Sequence, residues 1–188
     1  QLDSDADEFM DYIVSATKRM QQLIKDMLEY SRVTTKGKEF KPTDTKKSLK
    51  STISDLHGTI EDNKAEIMYD SLLKISADER QLVRLFQNLI SNSIKFRKPD
   101  IPPKIYISAK KDEENNEYVF WVADNGIGIE PQYKDRIFTI FQRLHTREEY
   151  NGTGIGLSVA KKLLNVTGDV YGLNLSLKKD RHFTLQFL

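Results

Sequence analysis

Residues 122–157 read VADNGIGIEPQYKDRIFTIFQRLHTREEYNGTGIGL, and this stretch decides the fold. An apolar strand runs out into Asp124-Asn125-Gly126-Ile127-Gly128-Ile129, and further on Gly152-Thr153-Gly154-Ile155-Gly156-Leu157 opens a helix. Five of the nine glycines in the chain fall in these two segments. Glycine is placed where the backbone turns unusually or approaches another atom closely. A tight turn explains the first segment alone, and a flexible helix entry explains the second alone. The helix upstream of both changes that balance.

Asp78 is placed to cap a helix running to about Phe96. Asn88, Asn92 and Lys95 are spaced 4 and 3, so they share one helical face, opposite Leu82, Phe86, Leu89 and Ile90. Polar residues at that spacing ordinarily form a solvated face. Two neutral amides one turn apart, with a Lys one turn on, also suit a hard cation bound to phosphates. Amide oxygens ligate Mg²⁺, a nucleotide supplies anionic oxygens, and the ammonium offsets remaining charge. The segment 152–157 supplies the complement, because free N–H groups at a helix N-terminus bind phosphate oxygens. A polar loop, HTREEYN, precedes these glycines rather than a strand, which argues against a dinucleotide fingerprint. No G-x-x-x-x-G-K-[ST] pattern is present, so the chain is not a P-loop protein.

The rest of the chain sets the frame. With 188 residues, 38% hydrophobic and 30% charged, it can bury one good-sized core with a small appendage. Twenty-nine basic against 28 acidic residues argue against nucleic acid or an anionic membrane surface as the main partner. No apolar run is long enough to span a bilayer. The absence of Cys removes disulfides, thiolate metal sites and Cys nucleophiles, and fits a reducing compartment. The opening QLDSDADEF is neither an initiator Met nor a signal peptide, and the chain reads as a fragment of something longer.

Phe9, Ile13, Ala16, Met20, Leu23, Met27 and Tyr30 form a heptad stripe, widened by Met10, Thr17, Ile24 and Leu28. A helix of this kind cannot hide its apolar face alone, so its partner is expected in another chain or in a segment not present here. Residues 34–42 are polar and read as a linker. Thr43 and Asp44 are placed to cap a helix carrying Leu49, Ile53, Leu56 and Ile60. A strand entering a turn is expected at 66–76, strands at 104–109 and 117–123, and a short helix at 133–141. A helix at 155–165 and closing strands at 169–177 and 183–188 complete the series. The fold class is therefore α+β, one mixed sheet with helices on one face. The expected organisation is a long amphipathic helix at 1–34, a linker at 35–44 and a globular α+β domain at 45–188.

At this point the motifs resemble a family. NLISNSIKF resembles the N box, DNGIGI the first glycine box, IFTIFQRL the F box and GTGIGL the second glycine box of sensor histidine kinases, in that order. RMQQLIKDMLEYSRV resembles the second helix of that family's dimerisation and phosphotransfer domain, especially in phytochrome-like and PAS-linked members. The resemblance implies a Bergerat-type (GHKL) α/β sandwich that binds Mg·ATP. It implies that Asp124 accepts from the adenine amino group and that Gly126 and Gly128 let the base approach. Asn92 and Asn88 would hold Mg²⁺, Lys95 would contact phosphate, and Phe96 would sit against adenine or ribose. Gly152, Thr153, Gly154, Gly156 and Leu157 would form the phosphate side of the lid. Phe138 and Phe141 are expected as buried lid anchors. Arg143 and His145 are each placed to meet the γ-phosphate or to remain solvated lid residues.

Hydrolysing relatives within the wider fold carry Glu at the position of Asn88, and Asn cannot act as a general base. The site thus favours positioning ATP for a supplied nucleophile. None of the three His fits the family's phosphoacceptor, which belongs to the preceding helix, and KKDRHF replaces the usual Gly-x-Gly turn before the last strand. The implied partners are a response-regulator receiver domain and a second copy joined through the N-terminal helix. This chain itself is expected to make no membrane contact, and a cytoplasmic location is implied even where the parent is membrane-attached. An ATP-hydrolysing switch and a degenerate binding module are the rival readings.

Overall fold

The computed structural model describes residues 4–32, 41–114, 117–133, 136–146, 149–150, 152–165, 171–172 and 182–187. In chain order the elements are α1 (Ser4–Arg32), β1 (Lys41–Asp44), α2 (Thr45–Asp55), α3 (His57–Asp62), β2 (Glu66–Tyr69) and β3 (Lys74–Ala77). Then come α4 (Glu79–Lys95), β4 (Lys104–Asp112), β5 (Glu117–Asp124), α5 (Gly156–Asn165), β6 (Tyr171–Gly172) and β7 (His182–Phe187).

Strand alternation builds the main sheet. Ile105 and Ile107 on β4, and Phe120 and Val122 on β5, are buried, while Lys104 and Tyr106 face out. β4 and β5 pair antiparallel with Ile107 opposite Val122. The strand order is β2-β4-β5-β7-β6, and β2 runs parallel to β4, which makes the sheet mixed. Against its inner face pack Leu49 of α2, Phe86, Leu89 and Ile90 of α4, and Val159 and Leu163 of α5, in one hydrophobic cluster. The α+β sandwich expected from the sequence is therefore present.

Both predicted caps are made. Asp44 accepts from Lys46 N and Lys47 N at the start of α2, and Asp78 accepts from Arg80 N at 2.9 Å at the start of α4. Glu79 in the first turn and Lys95 in the last complement the dipole of α4.

Several boundaries differ from the sequence reading. Lys41–Asp44, assigned to the end of the linker, forms β1 and pairs antiparallel with β3, Thr43 opposite Ile75. Thr43 Oγ1 also donates to Ala77 O at 2.8 Å, tying the two strands together. Pro42 is tolerated because a two-stranded ribbon has open edges. The strand expected at 66–76 is two strands in different sheets. The helix expected through Ile60 breaks at Leu56, just before Gly58, giving α2 and α3. The helix expected at 133–141 is instead two 3₁₀ turns, Pro131–Tyr133 and Arg136–Phe138. The end of the chain supplies β6 and β7, and residues 173–181, including the KKDR turn, lie outside the described residues.

The long helix α1 has partial neighbours within the chain. Leu23 and Tyr30 pack against the core cluster, while Phe9, Ile13, Met20 and Ile24 remain exposed. Among the described residues, no helix is long and apolar enough to cross a membrane.

Candidate functional site

The polar face of α4 meets the start of α5. Asn92, Lys95 and Phe96 line one cavity together with Arg143, Gly152, Thr153, Gly154, Gly156 and Leu157. Asn88 stands just behind: its Nδ2 donates to Arg84 O at 3.0 Å, and its Oδ1 lies 2.9 Å from where a Cβ on Gly156 would be. The bare backbone at 156 therefore lets α5 begin against the amide. A Cβ on Gly152 would overlap Lys95 Nζ, so the glycine segment is fitted to the Lys side chain as well. The chain thus brings the two amides, the Lys and the second glycine segment together, as their spacing predicts.

The first glycine segment reaches that cavity through Ile129, while its other residues lie beside it. Asp124, Gly126 and Gly128 line a neighbouring groove with Lys98 and Tyr106. Asp124 is buried, since period-2 alternation from Phe120 and Val122 turns it toward the helices. Its carboxylate accepts from Ser93 Oγ at 2.9 Å and from Gly126 N at 2.9 Å. Ser93 follows Asn92 on α4, so this bond joins the two motifs. A Cβ on Gly126 would stand 2.6 Å from Phe96 O and 2.7 Å from Asp124 Oδ1. The close approach at Gly126 is therefore to the chain itself. Gly128 adopts φ +79°, in the left-handed region.

The cavity measures about 200 Å³, below the roughly 300 Å³ at which ligand clefts usually begin. Aromatic rings line it. Phe96 lies 5.1 Å from Tyr150 and 6.0 Å from His145, centroid to centroid, and His145 and Tyr150 are 5.2 Å apart. Arg143 braces the loop, donating to Gly152 O and Thr146 O at 3.0 Å each and also to Tyr150 O. Its guanidinium is spent on main-chain carbonyls, and contact with a ligand would require exchanging them. Seating a nucleoside triphosphate here means moving the aromatic trio and this loop.

The anchor reading of Phe141 fails. The residue is 55% exposed and its backbone sits at φ +64°. The main chain of Phe141 and Gln142 lies against Gly154, so backbone rather than ring holds the loop. Phe138 is half-buried, with Lys161 Nζ 5.1 Å from its centroid.

Sequence reasoning missed three participants. Ser93 carried a legible signal, a small hydroxyl on the apolar stripe after Leu89 and Ile90. Tyr150 had a weaker one, an aromatic just ahead of the glycines. Asp26 of α1, which also lines the cavity, had none, because the heptad stripe reads it as a flanking position.

Burial and the positive charge of Arg143, in that order, lower the pKa of Lys95 below the ordinary Lys value. An anionic phosphate favours the protonated amine, so nucleotide affinity is expected to fall as pH rises through this lowered pKa. Lys95→Arg, which stays charged, is expected to flatten that alkaline decline. Binding titrations across the alkaline range check both.

The donor set fits a divalent cation shared with phosphates. Among the described residues, no group of three or more His, Cys, Asp or Glu is placed to hold a metal. Asn92 Nδ2 is buried without a hydrogen-bond partner among the described residues, leaving that amide for a ligand to orient. Asn88 commits its nitrogen to Arg84 O, and its oxygen faces the start of α5 at Gly156.

Comparison with known proteins gives the family. Residues 77–187 match the family described as histidine kinase-, DNA gyrase B-, and HSP90-like ATPase, and the chain belongs to that family. Its relatives include Cyanobacterial phytochrome A of Nostoc sp., 48% identical over 164 residues that cover 87% of this chain. The chain spans about a fifth of that relative's length, 21%. Among solved structures, full-length ShkA in complex with AMPPNP superposes with a TM-score of 0.73 at 21% identity, covering 100% of this chain and 39% of that one. Histidine kinase ThkA in complex with the response regulator protein TrrA gives 0.70 at 18% identity, covering 100% of this chain and 52% of that one. The resemblance to sensor histidine kinases drawn from the four motifs is thereby borne out.

Proposed function

We propose that this chain is the ATP-binding catalytic core of a two-component sensor histidine kinase, attached to one helix of its dimerisation hairpin. The observation that carries the reading is the face of Asn88, Asn92 and Lys95 against the bare backbone of Gly152 and Gly156. Asn92 and Asn88 would hold Mg²⁺, which when bound neutralises charge on the phosphates. Lys95 meets phosphate, and Asp124 reads the adenine amino group. Phe96 packs on the base or ribose, and residues 152–157 line the phosphate side. Position 88 holds an amide, so no side chain there takes a proton from water. Catalysis rests on placing the γ-phosphorus before an incoming imidazole nitrogen, so that the new P–N bond forms as the bond to the β,γ-bridging oxygen breaks and ADP leaves. The phosphoryl then passes to a receiver-domain Asp. A fold neighbour solved with AMPPNP and another solved with a response regulator support the ligand and the partner.

The division into a dimerisation helix at 1–34, a linker and a catalytic domain from 45 to 188 belongs to the same proposal, with β1 now counted beside the catalytic core. Exposed Phe9, Ile13 and Met20 support self-association through α1. A cytoplasmic location follows from the ATP supply such a site needs.

Incubation with γ-labelled ATP and Mg²⁺ tests the function. The chain is expected to bind nucleotide, release phosphate only slowly and acquire no stable label, since His57, His145 and His182 are not the acceptor. Label appearing on the chain would overturn the assignment, and steady acceptor-independent phosphate release would favour the hydrolysing switch.

A further inference from the structure

Among the described residues that line the cavity there is one carboxylate, and it comes from neither α4 nor the glycine segment. Asp26 of α1 is half-buried, and its carboxylate accepts from the Thr153 hydroxyl through one oxygen and from Gln22 Nε2 at 2.6 Å through the other. Thr153 lies between Gly152 and Gly154, so this carboxylate stands where the glycine segment would receive a phosphate. Lys95 and Arg143 line the same space. Neither forms an ion pair among the described residues.

Two contacts outside the cavity hold the same end of α1. Lys162 Nζ donates to Tyr30 O at 2.8 Å and lies 4.1 Å from the Tyr30 ring centroid. Arg84 Nε sits 3.7 Å from Glu29 Oε1. Carbonyls in the last turn of a helix lack intrahelical partners, so an ammonium there is favourable both as donor and as charge.

We propose that Asp26 sets the nucleotide affinity of this site: docked α1 places an anion at the cationic end of the cavity, in competition with the phosphates. The inference rests on the nucleotide reading given above. A carboxylate and a polyphosphate repel at this range, and partial burial weakens solvent screening. Occupancy of the cavity and docking of α1 are therefore linked, and linkage is reciprocal. Nucleotide loosens the end of α1 that carries Asp26, and releasing that end raises nucleotide affinity by the same factor.

Asp26→Asn keeps one acceptor oxygen for Thr153 and removes the charge, its NH₂ facing the exposed Gln22, whose amide can rotate to accept, whereas Lys162→Met frees the helix end without touching the cavity. Calorimetric titration of the full chain with Mg·AMPPNP is expected to show tighter binding in both variants, by about threefold to tenfold. The chain has no Cys, so paired spin labels at the exposed positions Met20 and Lys161 report on α1 and α5 cleanly. Their separation is expected to lengthen with saturating nucleotide. Unchanged or weaker binding in Asp26→Asn overturns the inference while leaving the nucleotide site intact. Absence of binding in the unaltered chain overturns the nucleotide reading itself, and this inference with it.

Discussion

Asp124→Asn is expected to cut Mg·nucleotide affinity by about tenfold to a hundredfold with the fold retained. The carboxylate accepts from Ser93 Oγ and Gly126 N, each at 2.9 Å, so it faces donors on two sides. An amide of the same shape has one acceptor oxygen and must turn its NH₂ toward a donor or toward the adenine amino group. Hydrogen bonds to a charged group contribute about 1.5–3 kcal/mol each. Losing one such bond corresponds to roughly tenfold to a hundredfold in a dissociation constant. Calorimetry with Mg·ADP measures the loss directly. Asp62→Asn, at an exposed carboxylate on α3, serves as the control, and an equal loss there would break the assignment of the adenine site.

Phe120→Ala is expected to destabilise the chain by about 3–5 kcal/mol, the range for truncating a buried aromatic. Phe120 is 1% exposed in the middle of β5, facing the helices across the core cluster. For a chain of this size that loss lowers the melting temperature by roughly 6–20 °C. Phe141→Ala removes the same side chain from an exposed position and is expected to stay within about 0.5 kcal/mol. Urea unfolding with an unchanged slope separates the two. Equal destabilisation would mean that the aromatic in the loop is packed as tightly as the one in the sheet.

Much of this arrangement was legible because it rests on periodicity. The 4 and 3 spacing of Asn88, Asn92 and Lys95 fixes their common face, and alternation along β5 fixes the direction of Asp124. Asp44 and Asp78 announce helix starts through side-chain chemistry that acts within three residues. What escaped depends on distant chain segments. β1 exists because Lys74–Ala77 offers it a partner, and nothing in KPTD by itself signals a strand. The loop aromatics divide by tertiary setting: Phe141 faces out because its main chain lies against Gly154, while Tyr150 turns in toward Phe96. Asp26 was invisible for the same reason, since a heptad pattern reports which residues share a stripe and not which domain the helix leans on.

The position of β7 has a consequence for how the molecule is made. Residues 182–187 sit between β5 and β6, so a segment made well after β5 occupies the interior of the sheet. Until those residues emerge from the ribosome, β5 presents an unpaired edge, a template for pairing with other nascent chains. Closure also joins segments far apart in the sequence, which slows the conformational search relative to a protein built from neighbouring hairpins.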